Sequence, residues 1–165
     1  MQKIYLAATL LALSYCLPAQ SIKDLDFLVG TWDTHEVIYE GTPKEYIETG
    51  ERVCAYYMDS TYIKCETKGL RKGKPRTYAF LFNYDAQKKH FQLLKIFGDY
   101  SFYANKSWKI DWEQQLILEE DTGGDQYIGN IDFADPNRII WRGWFPSQKR
   151  EPKLSLIFTE TATRK

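Results

Sequence analysis

Histidine and cysteine are scarce in this 165-residue chain, with two of the first and three of the second. His35 and His90 alone cannot assemble a multi-histidine zinc site, and a Ser-His-Asp triad has no recognisable setting. The sequence also lacks a Gly-x-Ser-x-Gly elbow, a phosphate-binding glycine loop, a Cys-x-x-Cys pair and a His-Glu-x-x-His pair, so the common hydrolase, nucleotide, redox and metalloprotease templates fail. Charge of one sign is missing too: 22 Lys and Arg balance 22 Asp and Glu. Nucleic acid is therefore not an expected partner, because phosphate binding needs a net basic face. No Pro- or Ser-rich linker, low-complexity tract or repeat period divides the chain.

Long apolar runs are confined to the start. Lys3, the mostly apolar stretch Ile4 to Leu17 and the Pro18-Ala19 step have the layout of a signal peptide cleaved after Ala19. Nothing later approaches the roughly 20 apolar residues of a membrane helix. The expectation is an exported protein, periplasmic or extracellular, with one domain over residues 20–165. Cys16 offers an alternative, lipid anchoring, although Tyr15 stands where such a signal wants Gly, Ala or Ser.

What is abundant is aromatic, strand-forming sequence: 16% of the residues are Phe, Trp or Tyr. Strand-like segments recur about every 10 to 14 residues with turn signals between them. They fall near 31–39, 45–58, 61–69, 76–84, 90–97, 102–112, 115–121, 127–133, 138–145 and 153–162. Short connectors such as Glu40 to Lys44, Asp85 to Lys89 and Asp135-Pro136-Asn137 make successive strands antiparallel neighbours. Closing about ten such strands into an up-and-down barrel removes their edges, so the expected class is all-β, a single antiparallel barrel. The Arg71-Lys72-Gly73-Lys74 cluster is expected to be a solvated turn.

Period-two alternation proposes the inward faces. Tyr78, Phe80, Phe82 and Tyr84 share one, Trp108, Ile110 and Trp112 a second, and Leu154, Leu156 and Phe158 a third. These faces either fill a packed core or line a cavity. If Tyr39 faces Glu45 across the first loop, Trp32 lies opposite Arg52 and Glu36 opposite Glu48. A second turn centred on Asp59-Ser60 sets Cys54 opposite Cys65, and Trp32, Glu36, Glu48, Arg52, Cys54, Tyr56, Ile63 and Cys65 then share the inner side. Cys54 and Cys65 are expected to form a disulfide in an oxidising compartment, most easily if Met58 to Thr61 make a four-residue turn; otherwise they are packed thiols. His35 falls on the outer face, and His90 is placed opposite Tyr84.

Two facing carboxylates in a partly dry cavity cannot both ionise easily, so Glu36 and Glu48 are the candidate acid and base should the protein be an enzyme. Arg52 either neutralises them or grips a ligand carboxylate. Asn105-Lys106-Ser107 fits a glycosylation acceptor by pattern.

The Leu25 to Trp32 segment with its Gly30-Thr31-Trp32 step, the Tyr84 to Phe91 hairpin and Trp108 together resemble secreted bacterial calycin-like proteins of unknown function. The Gly-Thr-Trp step also resembles nitrobindin, a ten-stranded haem-binding barrel whose motif reads Gly-Thr-Trp-x-Gly-x-Gly. Thr34 and Glu36 stand at the two later glycines here, and no histidine follows His90 to match that family's late-strand haem ligand, so haem is not carried over and no cofactor is expected. Lipocalins and fatty-acid-binding proteins are the wider relatives implied. The expected function is non-catalytic sequestration or carriage of a small apolar or amphipathic molecule, with Trp32, Arg52, Tyr56, Phe80, Phe82 and Trp108 around it. The alternatives are a filled barrel acting as a structural or protein-interaction module, and an enzyme using Glu36 and Glu48. Export to a periplasm should yield a mass that starts at Gln20 and is lighter by two hydrogens than the reduced chain, as read by denaturing mass spectrometry.

Overall fold

Residues 20–98, 103–111, 113–114, 116–121, 128–146 and 154–165 are described by a computed structural model. The signal-peptide segment 1–19, with Cys16, and Trp112 lie outside the described residues.

The chain enters through a 3-10 turn, Ile22–Leu28. Its start is capped reciprocally, with Ser21 Oγ accepting from the Lys23 N–H at 3.3 Å and the Asp24 carboxylate accepting from the Ser21 N–H at 2.9 Å. Ten strands follow: β1 (Gly30–Ile38), β2 (Tyr46–Tyr57), β3 (Tyr62–Arg71), β4 (Lys74–Asp85), β5 (His90–Phe97), β6 (Tyr103–Asp111), β7 (Leu116–Asp121), β8 (Ile128–Asp135), β9 (Arg138–Pro146) and β10 (Leu154–Arg164). Each pairs antiparallel with its sequence neighbours, and β1 pairs with β10 to close the barrel. Short connections leave each strand beside the previous one, and closure satisfies the edges that an open sheet would present.

The turn plugs one end, which we call the base. Leu25 and Leu28 are buried there, and the Trp32 indole N–H donates to the Leu28 carbonyl at 2.8 Å. Arg164, at the end of β10, lies over the Trp32 ring with its guanidinium carbon 4.2 Å from the centre and donates to the carbonyls of Val29 at 2.9 Å and Phe27 at 3.0 Å. Gly30 makes the step from turn to strand at φ +142°, a backbone state that side chains disfavour, and a Cβ there would stand 2.5 Å from an Arg164 nitrogen. Above the plug, Trp32, Phe82, Phe91, Leu93, Trp108 and Ile131 fill the barrel interior. Phe82 and Trp108 ring centres lie 4.7 Å apart and Phe80 and Trp141 5.2 Å, so the aromatic alternation builds a packed core.

The first two registers are those expected from loop lengths: Trp32 faces Arg52, Glu36 faces Glu48, and Cys54 faces Cys65. The β2–β3 turn is the four-residue version, Met58 to Thr61, and it sets Cys54 and Cys65 4.0 Å apart at Cα, with their sulfurs at disulfide distance, 2.02 Å. Tyr78, Phe80, Phe82 and Trp108 face inward as the alternation implies, and His35 is exposed.

Three expectations are corrected. Leu156 and Phe158 do not share a face, because β10 shifts register between them; Leu156 is exposed while Phe158 packs on the core, and the Leu154 side chain lies outside the described residues. His90 faces Asp85, and Tyr84 faces Phe91, one residue from the expected pairing. Only Lys72-Gly73 is the turn of the basic cluster; Arg71 and Lys74 close it as a strand pair, and Arg71 reaches Glu48 across the mouth.

Gly50 and Gly69 pair across β2 and β3, and a Cβ on Gly69 would sit 2.1 Å from the Thr49 carbonyl oxygen and 2.7 Å from the Gly50 Cα. Both contacts are backbone, so no side-chain rearrangement relieves them, and the bare pair lets the two strands curl together near the mouth. Gly69→Ala is therefore expected to lower the stability to urea unfolding by about 1–3 kcal/mol.

Candidate functional site

The interior changes character along the barrel axis. Near the base it is apolar; toward the opposite end, the mouth, β1, β2, β3, β4, β5 and β10 turn charged side chains inward. Glu48 and Arg52 are each 6% exposed and Glu160 4%. Period two accounts for this: Glu36 follows Trp32 and Thr34 on β1, Glu48 precedes Arg52 on β2, and Arg76 precedes Tyr78 on β4.

Arg52 does not stand open to a ligand. Its Nη1 and Nη2 donate to the two Glu160 oxygens at 2.6 Å each, Nη2 donates also to the Tyr78 hydroxyl at 3.1 Å, and Nε donates to Thr67 Oγ1 at 3.0 Å. Burial alone would lower the guanidinium pKa, but the Glu160 carboxylate holds it above its usual value. Burial raises the Tyr78 hydroxyl, against the Arg52 charge, which lowers it. The bidentate fork at Arg52 is thus a satisfied internal ion pair.

Glu48 is bound by two cations. Arg71 Nε lies 3.1 Å from Oε1, and Arg76 Nη1 is bonded to Oε2. Arg71 also donates to the Tyr46 hydroxyl at 2.9 Å, and the Lys72 ammonium sits 4.1 Å from the Tyr46 ring centre. On the opposite wall, Lys95 is buried with its ammonium 4.5 Å from the Trp141 ring centre.

Between the two anchored carboxylates stands Glu36. On the closed sheet its Cα partners are Glu48 on β2 and Glu160 on β10, so three glutamates lie side by side across β10, β1 and β2. Among the described residues Glu36 makes no hydrogen bond or ion pair. Burial, then Glu160, then Glu48 push its carboxyl up to about 8, against the partial relief of Arg76 and Arg52. Glu36 is thus held in its neutral form to higher pH than an ordinary glutamate, beside two carboxylates that are each paired with arginine.

Among the described residues two small voids lie inside. The lower is lined by Trp32, Arg52, Phe80, Phe82, Trp108 and Trp141 among others, and the upper, at the mouth, by Thr34, Glu36, Glu48, Thr67, Arg76 and Tyr78 among others. Each is ≈ 10 Å³ by the centre of a water-sized sphere, room for about one water molecule. Five of the six residues expected around a ligand, Trp32, Arg52, Phe80, Phe82 and Trp108, come together at the lower void. The sixth, Tyr56, lies at the base, where its hydroxyl bonds Asp26 and burial with that carboxylate raises it to about 12. The Trp141 indole N–H is buried without a hydrogen-bond partner among the described residues.

Glu160, Arg76, Lys95 and Trp141 were not singled out from sequence. Extending the β10 alternation past Phe158 reaches Glu160, and extending the β4 face back from Tyr78 reaches Arg76. Lys95 follows Phe91 and Leu93 on one face, where an apolar residue is the usual occupant.

No family model matches this sequence, and no curated protein matches it. Among solved structures it is similar to the S-type phycobiliprotein lyase CPES from Guillardia theta, at 12% identity and TM-score 0.60, over 88% of this chain and 93% of that one. It is also similar to Rv2717c from M. tuberculosis, at 12% identity and TM-score 0.58, over 90% and 98%. A likeness at that identity speaks for the fold. The fold is a calycin-type barrel. Among the described residues, no helix is long and apolar enough to cross a membrane, and no group of His, Cys, Asp and Glu is placed to hold a metal ion.

The Arg52–Glu160 pair sets up a direct test of the interior. Glu160→Gln leaves a buried guanidinium without its counter-charge and should cost about 3–5 kcal/mol in thermal or urea unfolding, whereas replacing both partners by Met should cost much less.

Proposed function

We propose that this protein binds a small amphipathic molecule at the mouth of the barrel, without catalysing its conversion. The single observation that carries this reading is Glu36, an unpartnered carboxyl held among charged groups above an aromatic floor. A chain selected only for stability would fill that position with an apolar side chain, since buried ionisable groups are weak stabilisers and local rule-breaking concentrates at functional sites. The aromatic floor supplies apolar contact, and Arg76 and Tyr78 supply the few polar groups that orient a ligand. One of the similar structures is a phycobiliprotein lyase, which agrees with small-molecule handling on this fold.

Because the two voids among the described residues are water-sized, a ligand entering there displaces mouth side chains. The Cys54–Cys65 pair at disulfide distance and the signal-like residues 1–19 support an exported working place with an oxidising environment. A filled barrel used as a structural or protein-contact module is the second reading, favoured by the dense aromatic core. Titration with Nile red, an uncharged apolar dye, separates them. Saturable one-to-one binding that is lost in Thr34→Phe, which fills the mouth void, is the expected result; absence of binding at any pH from 5 to 9 would overturn the ligand reading in favour of the filled barrel.

A further inference from the structure

The Glu160–Glu36–Glu48 row has unequal partners, and the inequality has a direction. Glu160 is held by Arg52 and Glu48 by Arg71 and Arg76, while the central carboxyl, on the fringe of solvent at the mouth, has no bonded partner among the described residues. The groups facing it are Glu48, Arg52 and Tyr46 from β2, Thr67 and Arg71 from β3, Arg76 and Tyr78 from β4, Lys95 on the β5 wall, and Glu160 from β10. From this placement we infer that Glu36 is a proton-operated latch on the mouth: neutral, it lies in the row and closes the upper void; ionised, it leaves for solvent and opens the way to the floor.

The argument is one of charge placement. A third negative charge between two carboxylates on adjacent strands meets repulsion from both sides. The nearby guanidinium groups are already bonded to Glu160 and Glu48, so compensating Glu36 inside would mean breaking one of those buried pairs. Turning the side chain outward is the alternative that breaks none, and Glu36 is half-buried, not fully enclosed. Thr34, directly before the carboxyl on the same inner face, donates to the Gly50 carbonyl at 3.1 Å and ties β1 to β2 there, so the side chain leads the movement and the amides beside it on β1, β2 and β10 readjust with it. Ionisation then falls in the range just above neutrality, as the raised carboxyl places it near 8.

The inference rests on ligand binding at the mouth for its purpose, but the latch can be read without a ligand. In the intact oxidised protein, the Glu36 carboxyl carbon is followed by NMR from pH 5 to 10, together with backbone amides of β1, β2 and β10. The expected result is a Glu36 midpoint near 8, with amides around residues 34–38, 46–50 and 158–162 moving in step and the movement absent in Glu36→Gln. A midpoint in the ordinary carboxylate range, or a raised midpoint with motionless mouth amides, overturns the latch, and the wild-type titration decides this even if the variant fails to fold. With Nile red as the probe, the ionised fraction rises about tenfold between pH 7 and 9, so apparent affinity should tighten by about the same factor, and it should be pH-independent and weak in Glu36→Gln. Affinity that ignores pH in the wild type overturns the coupling. Failure of the dye to bind at any pH removes the mouth-binding reading, whereas the amide titration still confirms or overturns the latch by itself.

Discussion

Closure of the barrel depends on what Arg164 does at the base. One guanidinium stacks on Trp32 and donates to the carbonyls of Phe27, Val29 and Pro136, which joins the end of the entering turn, the start of β1, the end of β10 and the β8–β9 turn. A planar side chain with five donors suits that junction, because it satisfies several carbonyls left over at strand and turn ends while its flat face covers an indole. Phe27 stacked on Phe133 with ring centres 4.1 Å apart seals the same end on the β8 side. With the base fixed and β1 paired to β10, the ten strands form a closed wall, and everything inside must be packed or paired.

That requirement is met differently in the two halves. Near the base, aromatic rings meet edge to face and leave space for about one water. Near the mouth, carboxylates and guanidiniums are sorted into bidentate and shared pairs. Buried pairs of this kind contribute little net stability compared with apolar packing, yet losing one partner is severe, so the upper half is tightly constrained without being strongly stabilising. The exception is Glu36. Burial and the two neighbouring carboxylates raise its carboxyl, and among the described residues no bonded cation offsets them.

The cross-strand cysteines belong to the lower half and line its void. Their pairing follows from the length of the β2–β3 turn, in which Met58, Asp59 and Ser60 all adopt positive φ. A turn shorter by two residues would have reversed which pairs along β2 and β3 are the close ones. The curl at Gly50 and Gly69 acts at the opposite end of the same two strands, so β2 and β3 carry a covalent tie below and a close backbone approach above.

Strand number, order and the β1–β2–β3 registers were legible in the chain because they depend on local information: turn residues, loop lengths and period-two alternation. Inward placement of Trp32, Arg52, Phe80, Phe82 and Trp108 followed from the same periodicity. A single extra residue between Leu156 and Phe158 was not legible, since a bulge leaves no signature in an alternation of apolar residues on both sides of it. Nor could alternation say that Arg52 is claimed by Glu160, 108 residues away, because that contact exists only once β1 has been joined to β10 and the two walls meet across β1. The sequence by itself determined the barrel and the faces of its strands; tertiary structure decided how closely the described aromatic rings pack, which charges are paired and that Glu36 is left between two occupied neighbours, because those facts are set by distances across a closed interior that no local pattern encodes.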